Sequence, residues 1–176
     1  EALVNCQAEM LNIREFFKAD IILPLVFEVF KQLNITSHFE VSTKEPDYTL
    51  SLIYYPAGEL EVLRLTPHKD TILMTVVWTQ KMGFEAKIAE QWHSLIPKEG
   101  YAIVQIGQAL ELMTNGQCHA VEHRVKVEAS DERFSMATFL SSNAEMPFKN
   151  LITDELLSER FGDYVKHHVA QVYKSK

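Results

Sequence analysis

The chain is poor in cysteine, in long apolar runs and in positive charge. Cys6 and Cys118 are its only cysteines, which excludes a disulfide framework and leaves no zinc-type Cys pair. A reducing, cytoplasmic compartment is expected. The longest apolar runs, such as Ile21 to Phe27, are broken by Pro24 and are far too short to span a bilayer. The formal charge of −7 offers no general attraction to nucleic acid or to an anionic membrane. No internal repeat or low-complexity stretch is apparent. A signal peptide's basic start and cleavage site are missing, and so is an initiator Met.

What is present fits a folded body. At 176 residues the chain has the size of one domain, and a hydrophobic share of 47% beside 23% charged residues excludes disorder. A small-molecule partner and a monomer are expected.

Three textures follow one another. Residues 1–47 form a helical segment and a connection. Leu3, Cys6, Met10, Ile13 and Phe17 recur at helical spacing as one buried face, with Asp20 as a cap. Pro24 either opens a second helix or kinks one long helix. Polar chemistry from Asn34 to Asp47 reads as the connection.

Residues 48–145 read as a β core. Short β-branched and aromatic runs cover Thr49–Tyr55, Leu60–Leu65, Thr71–Thr79, Phe84–Ala89, Trp92–Ile96, Ala102–Ile106, His119–Val127 and Phe134–Leu140. Their breakers include Pro56-Ala57-Gly58, Gly83, Pro97 with Gly100, Asn115-Gly116 and Ser130-Asp131. Eight short strands at this spacing suggest an antiparallel sandwich or barrel, for which a jelly roll is a natural solution. Residues 146–176 return to helix, with Leu157, Phe161, Tyr164, Val165, His168 and Val172 as one apolar stripe packed outside the sheet.

Within the β core lies a polar constellation. His68 and Asp70 are two apart on an extended segment, so both face one side and can chelate one ion. Taken alone, such a pair is more often an exposed strand end, here after Pro67. His123 lies 53 residues further on (123 − 70), a separation compatible with side-by-side strands in a jelly roll. Two histidines and a carboxylate suit one face of Fe(II), with positions left for substrate and oxygen. Arg133 and Ser135 begin ten positions after His123 (133 − 123) and offer a guanidinium and a hydroxyl to a carboxylate.

These residues sit among further landmarks: Tyr54-Tyr55-Pro56, Pro67, Gly83-Phe84, Trp92, Gly100, Ile106-Gly107, Thr114-Asn115-Gly116 and Glu122-His123-Arg124-Val125. In order and spacing the whole pattern, over roughly residues 45–145, resembles the Fe(II)- and 2-oxoglutarate-dependent dioxygenases, in the isopenicillin N synthase-like branch. The resemblance implies a mainly β fold with flanking helices, a double-stranded β-helix (jelly-roll) core. It implies that His68, Asp70 and His123 bind Fe(II), and that Arg133 and Ser135 grip the distal carboxylate of 2-oxoglutarate. Tyr55 matches a tyrosine that contacts this co-substrate, although an aromatic in a strand is ordinarily packing. With O2, such an enzyme hydroxylates, desaturates or cyclises a small organic substrate and releases succinate and CO2.

Two other readings stay open: an iron oxidase of this fold that uses no 2-oxoglutarate, and a non-catalytic jelly-roll binding module. His119 is expected to share a strand face with His123 but to lie beside the site or at the surface. Cys118 is read as a small buried hydrophobe and Arg124 as an ion-pairing residue. Ile53, Ile72 and Gln108 replace the family's frequent Asn, Gly and Asp. Family members carry an N-terminal region ahead of the point where this sequence starts, so a missing N-terminal subdomain is expected.

Overall fold

The computed structural model describes residues 2–57, 62–96, 98–127 and 132–174. Of the expected features, Gly58, Leu60, Pro97 and Ser130-Asp131 lie outside these residues, as do the side chains of Leu3, Cys6 and Val172.

Helix α1 (Ala2–Phe16) runs through a π-helical stretch, Phe17–Ile22, into α2 (Leu23–Gln32). Pro24 lacks an N–H and crowds the carbonyl four residues back, and the wider π ladder lies where that conflict falls. Both expectations for Pro24 are therefore partly met: it opens α2, yet the rod is continuous. Asp20 is not a cap, because it lies exposed inside the π stretch. The expected α1 face is also incomplete, since Ile13 is exposed. Burial concentrates further on, in Ile22, Val26 and Phe30, while Phe17 packs its ring 4.6 Å from that of Trp78. Asn34, at φ 57, takes the left-handed conformation that follows many helix ends. The connection after it contains a 3-10 turn, Thr36–His38, and a short helix α3, Phe39–Ser42.

Eight strands then form two antiparallel sheets. The first has the order β1-β8-β3-β6, from β1 (Asp47–Tyr55), β3 (Met74–Thr79), β6 (Ile103–Ile106) and β8 (Arg133–Ser141). The second has the order β2-β7-β4-β5, from β2 (Val62–His68), β4 (Phe84–Ile88), β5 (Gln91–Ser94) and β7 (His123–Val127). Consecutive strands alternate between sheets for much of the chain, as the expected jelly roll requires.

Strand pleating divides the first sheet into two environments. Met74 and Val76 face outward and join Ile22, Val26, Phe30, Tyr48 and Leu140 in the main core. Thr75 and Val77 face inward, between the sheets, as do Ile53, Tyr55, Arg133, Ser135 and Ala137. Beyond the helices' reach, Leu52, Tyr54 and Phe134 remain exposed, the two rings stacked at 4.6 Å.

The helix α4 (Gln108–Met113) had no counterpart among the sequence expectations; it packs Ala109, Leu110 and Met113 into the core. A small hairpin, β9 (Phe148–Lys149) with β10 (Leu156–Ser158), precedes α5 (Phe161–Lys174). Leu157 is thus in a strand and not on the terminal helix stripe, whereas Phe161, Tyr164 and Val165 do pack on the core. Among the described residues, no helix is long and apolar enough to cross a membrane.

Candidate metal centre

The site begins with a strand pairing. His68, the last residue of β2, is the register partner of His123, the first of β7, and their rings lie 4.3 Å apart. Two residues, Thr66 and Pro67, lie between Leu65 and His68 in β2, where only Arg124 lies between their β7 partners, Val125 and His123. This extra residue bends β2 and turns His68 inward to the side that Leu65 also lines. Phe84 of β4 lies nearly parallel to the His123 ring, at 5.3 Å and 15°, and fixes its plane.

The nitrogen chemistry follows from the carbonyls nearby. His68 Nδ1 lies 2.8 Å from the Thr66 carbonyl oxygen, and His123 Nδ1 lies 3.4 Å from that of Val121. A carbonyl only accepts, so the tautomer with the proton on Nδ1 satisfies both carbonyls, and in that tautomer each Nε2 presents a lone pair, as a metal ligand must. Both Nε2 atoms point at Asp70 Oδ1, 3.4 Å from His68 and 3.8 Å from His123. The three donor atoms lie within 4.8 Å of one another. Donors at right angles on one ion, each at about 2.1 Å, would stand roughly 3 Å apart.

Burial holds the His123 pKa below its ordinary value, with Asp70 opposing and His68 adding to the effect, so the ring is neutral near pH 7. Burial also raises the Asp70 carboxyl, but His68, His123 and Thr75 together outweigh it and hold the group below the usual carboxylate range. A neutral His123 imidazole beside an ionised Asp70 carboxylate is the protonation state a divalent cation needs of those two groups.

Asp70 itself lies past the end of β2, so strand pleating does not aim it, contrary to the extended-segment reading. Its carbonyl accepts the Gln108 N–H at 2.7 Å, and its Oδ2 accepts the Thr75 hydroxyl at 2.5 Å. Lys69 turns the other way, to Glu111 of α4. Gly107 makes this approach possible: a Cβ there would sit 1.9 Å from the Ile72 carbonyl oxygen.

Across the cavity, Arg133 faces its register partner Tyr55, with the guanidinium 5.1 Å from the ring centre. Arg133 is 1% exposed, and its Nη1 donates to Ser135 Oγ at 3.4 Å. Nε and Nη2 are buried with no hydrogen-bond partner among the described residues. Burial lowers the guanidinium pKa and Tyr55 raises it, but an arginine stays cationic at any physiological pH. Two open donors on a buried cation call for a carboxylate.

Both ends open into one cavity of about 410 Å³ with apolar walls such as Val77, Phe84 and Val125. A larger hollow, about 720 Å³, lies between Tyr54, Phe134 and Tyr101, but it brings together no comparable set of donors. Donor chemistry, not volume, singles out the smaller one.

All six expected site residues therefore line one cavity. His119 does not: β7 begins only at His123, and the exposed His119 reaches Glu111. Cys118 is half-buried and not fully buried as expected. Arg124 pairs with Glu85 at 2.5 Å over the Trp92 ring. Thr75 and the buried Gln105, which both line the cavity, were missed; nothing marks a Thr or Gln in a strand run as facing a site.

The 2OG-Fe(II) oxygenase superfamily model matches residues 46–142, 97 of 176 residues. The chain belongs to this superfamily. It is 34% identical over 140 residues to the codeine O-demethylase of Papaver somniferum, across 73% of this chain and 39% of the relative. It is 32% identical over 143 residues to gibberellin 2-beta-dioxygenase 5 of Oryza sativa subsp. japonica, across 75% of this chain and 42% of the relative. The chain thus spans about two-fifths of these relatives. Among solved structures, a full-length Neurospora crassa protein in complex with alpha-KG superposes with a TM-score of 0.81 at 22% identity, over 96% of this chain and 62% of that one. JOX2 in complex with 2OG, Fe and JA gives 0.76 at 24%, over 88% and 51%. At these identities the superpositions establish the shared jelly-roll fold.

Proposed function

We propose that the chain is the oxygenase portion of an Fe(II)- and 2-oxoglutarate-dependent enzyme that hydroxylates, desaturates or cyclises a small organic molecule, with release of succinate and CO2. The observation that carries this is a buried guanidinium with two open donors, sharing one cavity with a His-Asp-His donor set. His68, Asp70 and His123 hold the metal. Arg133 and Ser135 hold the distal carboxylate of 2-oxoglutarate, and Tyr55 flanks it.

Bound there, Fe(II) and O2 supply the redox chemistry that couples oxidative decarboxylation of the 2-oxo acid to substrate oxidation. The chain's own residues bind, orient and enclose. The neutral His123 imidazole presents a lone pair without first losing a proton. Arg133 and Ser135 fix one end of the 2-oxo acid, so that its other end is directed toward the triad. Val77, Phe84 and Val125 exclude water between the two ends.

Residues 48–145 are the catalytic unit in this reading, supported by the family match over 46–142. The ordered sequence landmarks from Tyr54 to Ser135 favour the isopenicillin N synthase-like branch. Codeine and gibberellin, named for two relatives, are small organic molecules, which supports a substrate of that class. A monomer in the cytoplasm is part of the same reading; the low cysteine content supports a reducing compartment.

The test is anaerobic loading of the chain with Fe(II) and 2-oxoglutarate, followed by admission of O2. Succinate should form in proportion to enzyme even without a prime substrate, and Asp70→Ala should abolish it. Oxygen uptake without any need for 2-oxoglutarate would overturn the assignment in favour of an iron oxidase.

A further inference from the structure

We propose that Thr75 is a positioning residue for the metal centre: its hydroxyl commits one oxygen of Asp70 and leaves Oδ1 as the single oxygen offered to the ion. This rests on the iron-site assignment above.

Asp70 needs such a device because of where it stands. Strand β2 ends at His68, so no ladder of backbone hydrogen bonds sets the direction of the carboxylate two residues later. The main chain is fixed at one point, where the Gln108 N–H donates to the Asp70 carbonyl. That contact leaves the side-chain torsions free. A carboxylate has two equivalent oxygens and can swing or offer both to a cation.

Thr75 removes this freedom. Its Oγ1 donates to Asp70 Oδ2 at 2.5 Å, at the short end for a hydroxyl bonded to an ionised carboxylate. Thr75 is 1% exposed, so water does not compete for the bond. Its own place is secure, because β3 is paired on both sides, with Phe139 of β8 and Gln105 of β6 opposite Thr75. With Oδ2 occupied, Oδ1 is turned to the two Nε2 atoms, at 3.4 and 3.8 Å. An inner strand of the first sheet thereby aims a ligand that stands at the margin of the second.

Binding of Mn(II), an air-stable probe of an oxygen- and nitrogen-donor site, tests this through the EPR signal of the free ion. In the full chain, Thr75→Ser should bind within about threefold of the parent, whereas Thr75→Val should bind roughly 10- to 100-fold more weakly, as for other groups that orient a metal ligand. The melting temperature of the metal-free proteins should stay similar, which a purely structural role for Thr75 would not give. If Thr75→Val does not fold, Thr75→Ala against Thr75→Ser isolates the hydroxyl in the same way. Equal Mn(II) affinity with and without the hydroxyl would overturn the role of Thr75 and leave the iron site standing. A parent protein that binds Mn(II) no better than Asp70→Ala would overturn the site and, with it, this role.

Discussion

The two ends of the cavity are completed differently. At the metal end the donors are steadied by the protein itself: a backbone carbonyl faces the Nδ1 of each histidine, Phe84 stacks on one ring, and Thr75 holds the aspartate. At the other end Arg133 has one weak bond to Ser135 and two buried donors unmet among the described residues. One end is preorganised around a carboxylate that Thr75 already hydrogen-bonds. The other is an uncompensated cation in an apolar wall, which disfavours the folded state until an anion arrives. Precision and affinity are thus supplied at separate places.

The largest test of this contrast is Arg133→Met. Losing a buried charged partner should weaken 2-oxoglutarate binding by about 2–5 kcal/mol, or roughly 30-fold and more, in calorimetric titration with Mn(II) present. The ligand-free protein should be no less stable, because an unpaired buried charge has gone. A marked drop in its melting temperature would show that the guanidinium is structurally paired after all.

Next, Mn(II) at a hundred times its Kd should stabilise the parent by about 2.7 kcal/mol, roughly a 5–10 °C rise in melting temperature for a chain of this size. His123→Ala should lose that rise, whereas Arg133→Met should keep it. If both lost it, the two ends would not be separable.

Proton concentration separates the ends as well. His123 has a pKa lowered in the folded chain, so the folded state binds fewer protons than the unfolded one below the ordinary value of 6.5. The stability it contributes is complete above 6.5 and is lost as pH falls through the depressed value; Asp70 acts in the same direction, below 3.8. Metal-free unfolding followed from about pH 7.5 downward should show this loss, and His123→Ala should lack its upper part. Unchanged pH dependence in that variant would sink the assignment. The smallest effect is expected from Ser135→Ala, about 1 kcal/mol or roughly fivefold in 2-oxoglutarate affinity.

Much of this was legible in the chain. The eight strands were visible because alternation and turn chemistry act locally, and Arg133 with Ser135 because two residues along a strand share a face. Helix α4 was not, since six residues hold less than two turns and show no convincing period. Its position depends on Gly107 lying against the Ile72 carbonyl, a contact between segments 35 residues apart (107 − 72). Thr75 was illegible for a related reason: a buried strand threonine has no sequence mark until the carboxylate it serves is placed. The inward turn of His68 was reached for an incomplete reason, because it depends on the extra residue in β2 and not on pleating alone.

The direct opposition of His68 and His123 gives the pair a mechanical meaning. An ion gripped by both ties together two points 55 residues apart in the chain (123 − 68), as a removable cross-link would. In a chain-entropy treatment, closing a loop of that length disfavours the unfolded state by about 4 kcal/mol. Slipping β2 against β7 by one residue would point one imidazole out of the barrel and undo the tie. Insertions should therefore be tolerated in the turns between these strands and rejected within them, with the ion acting as a lock on sheet alignment.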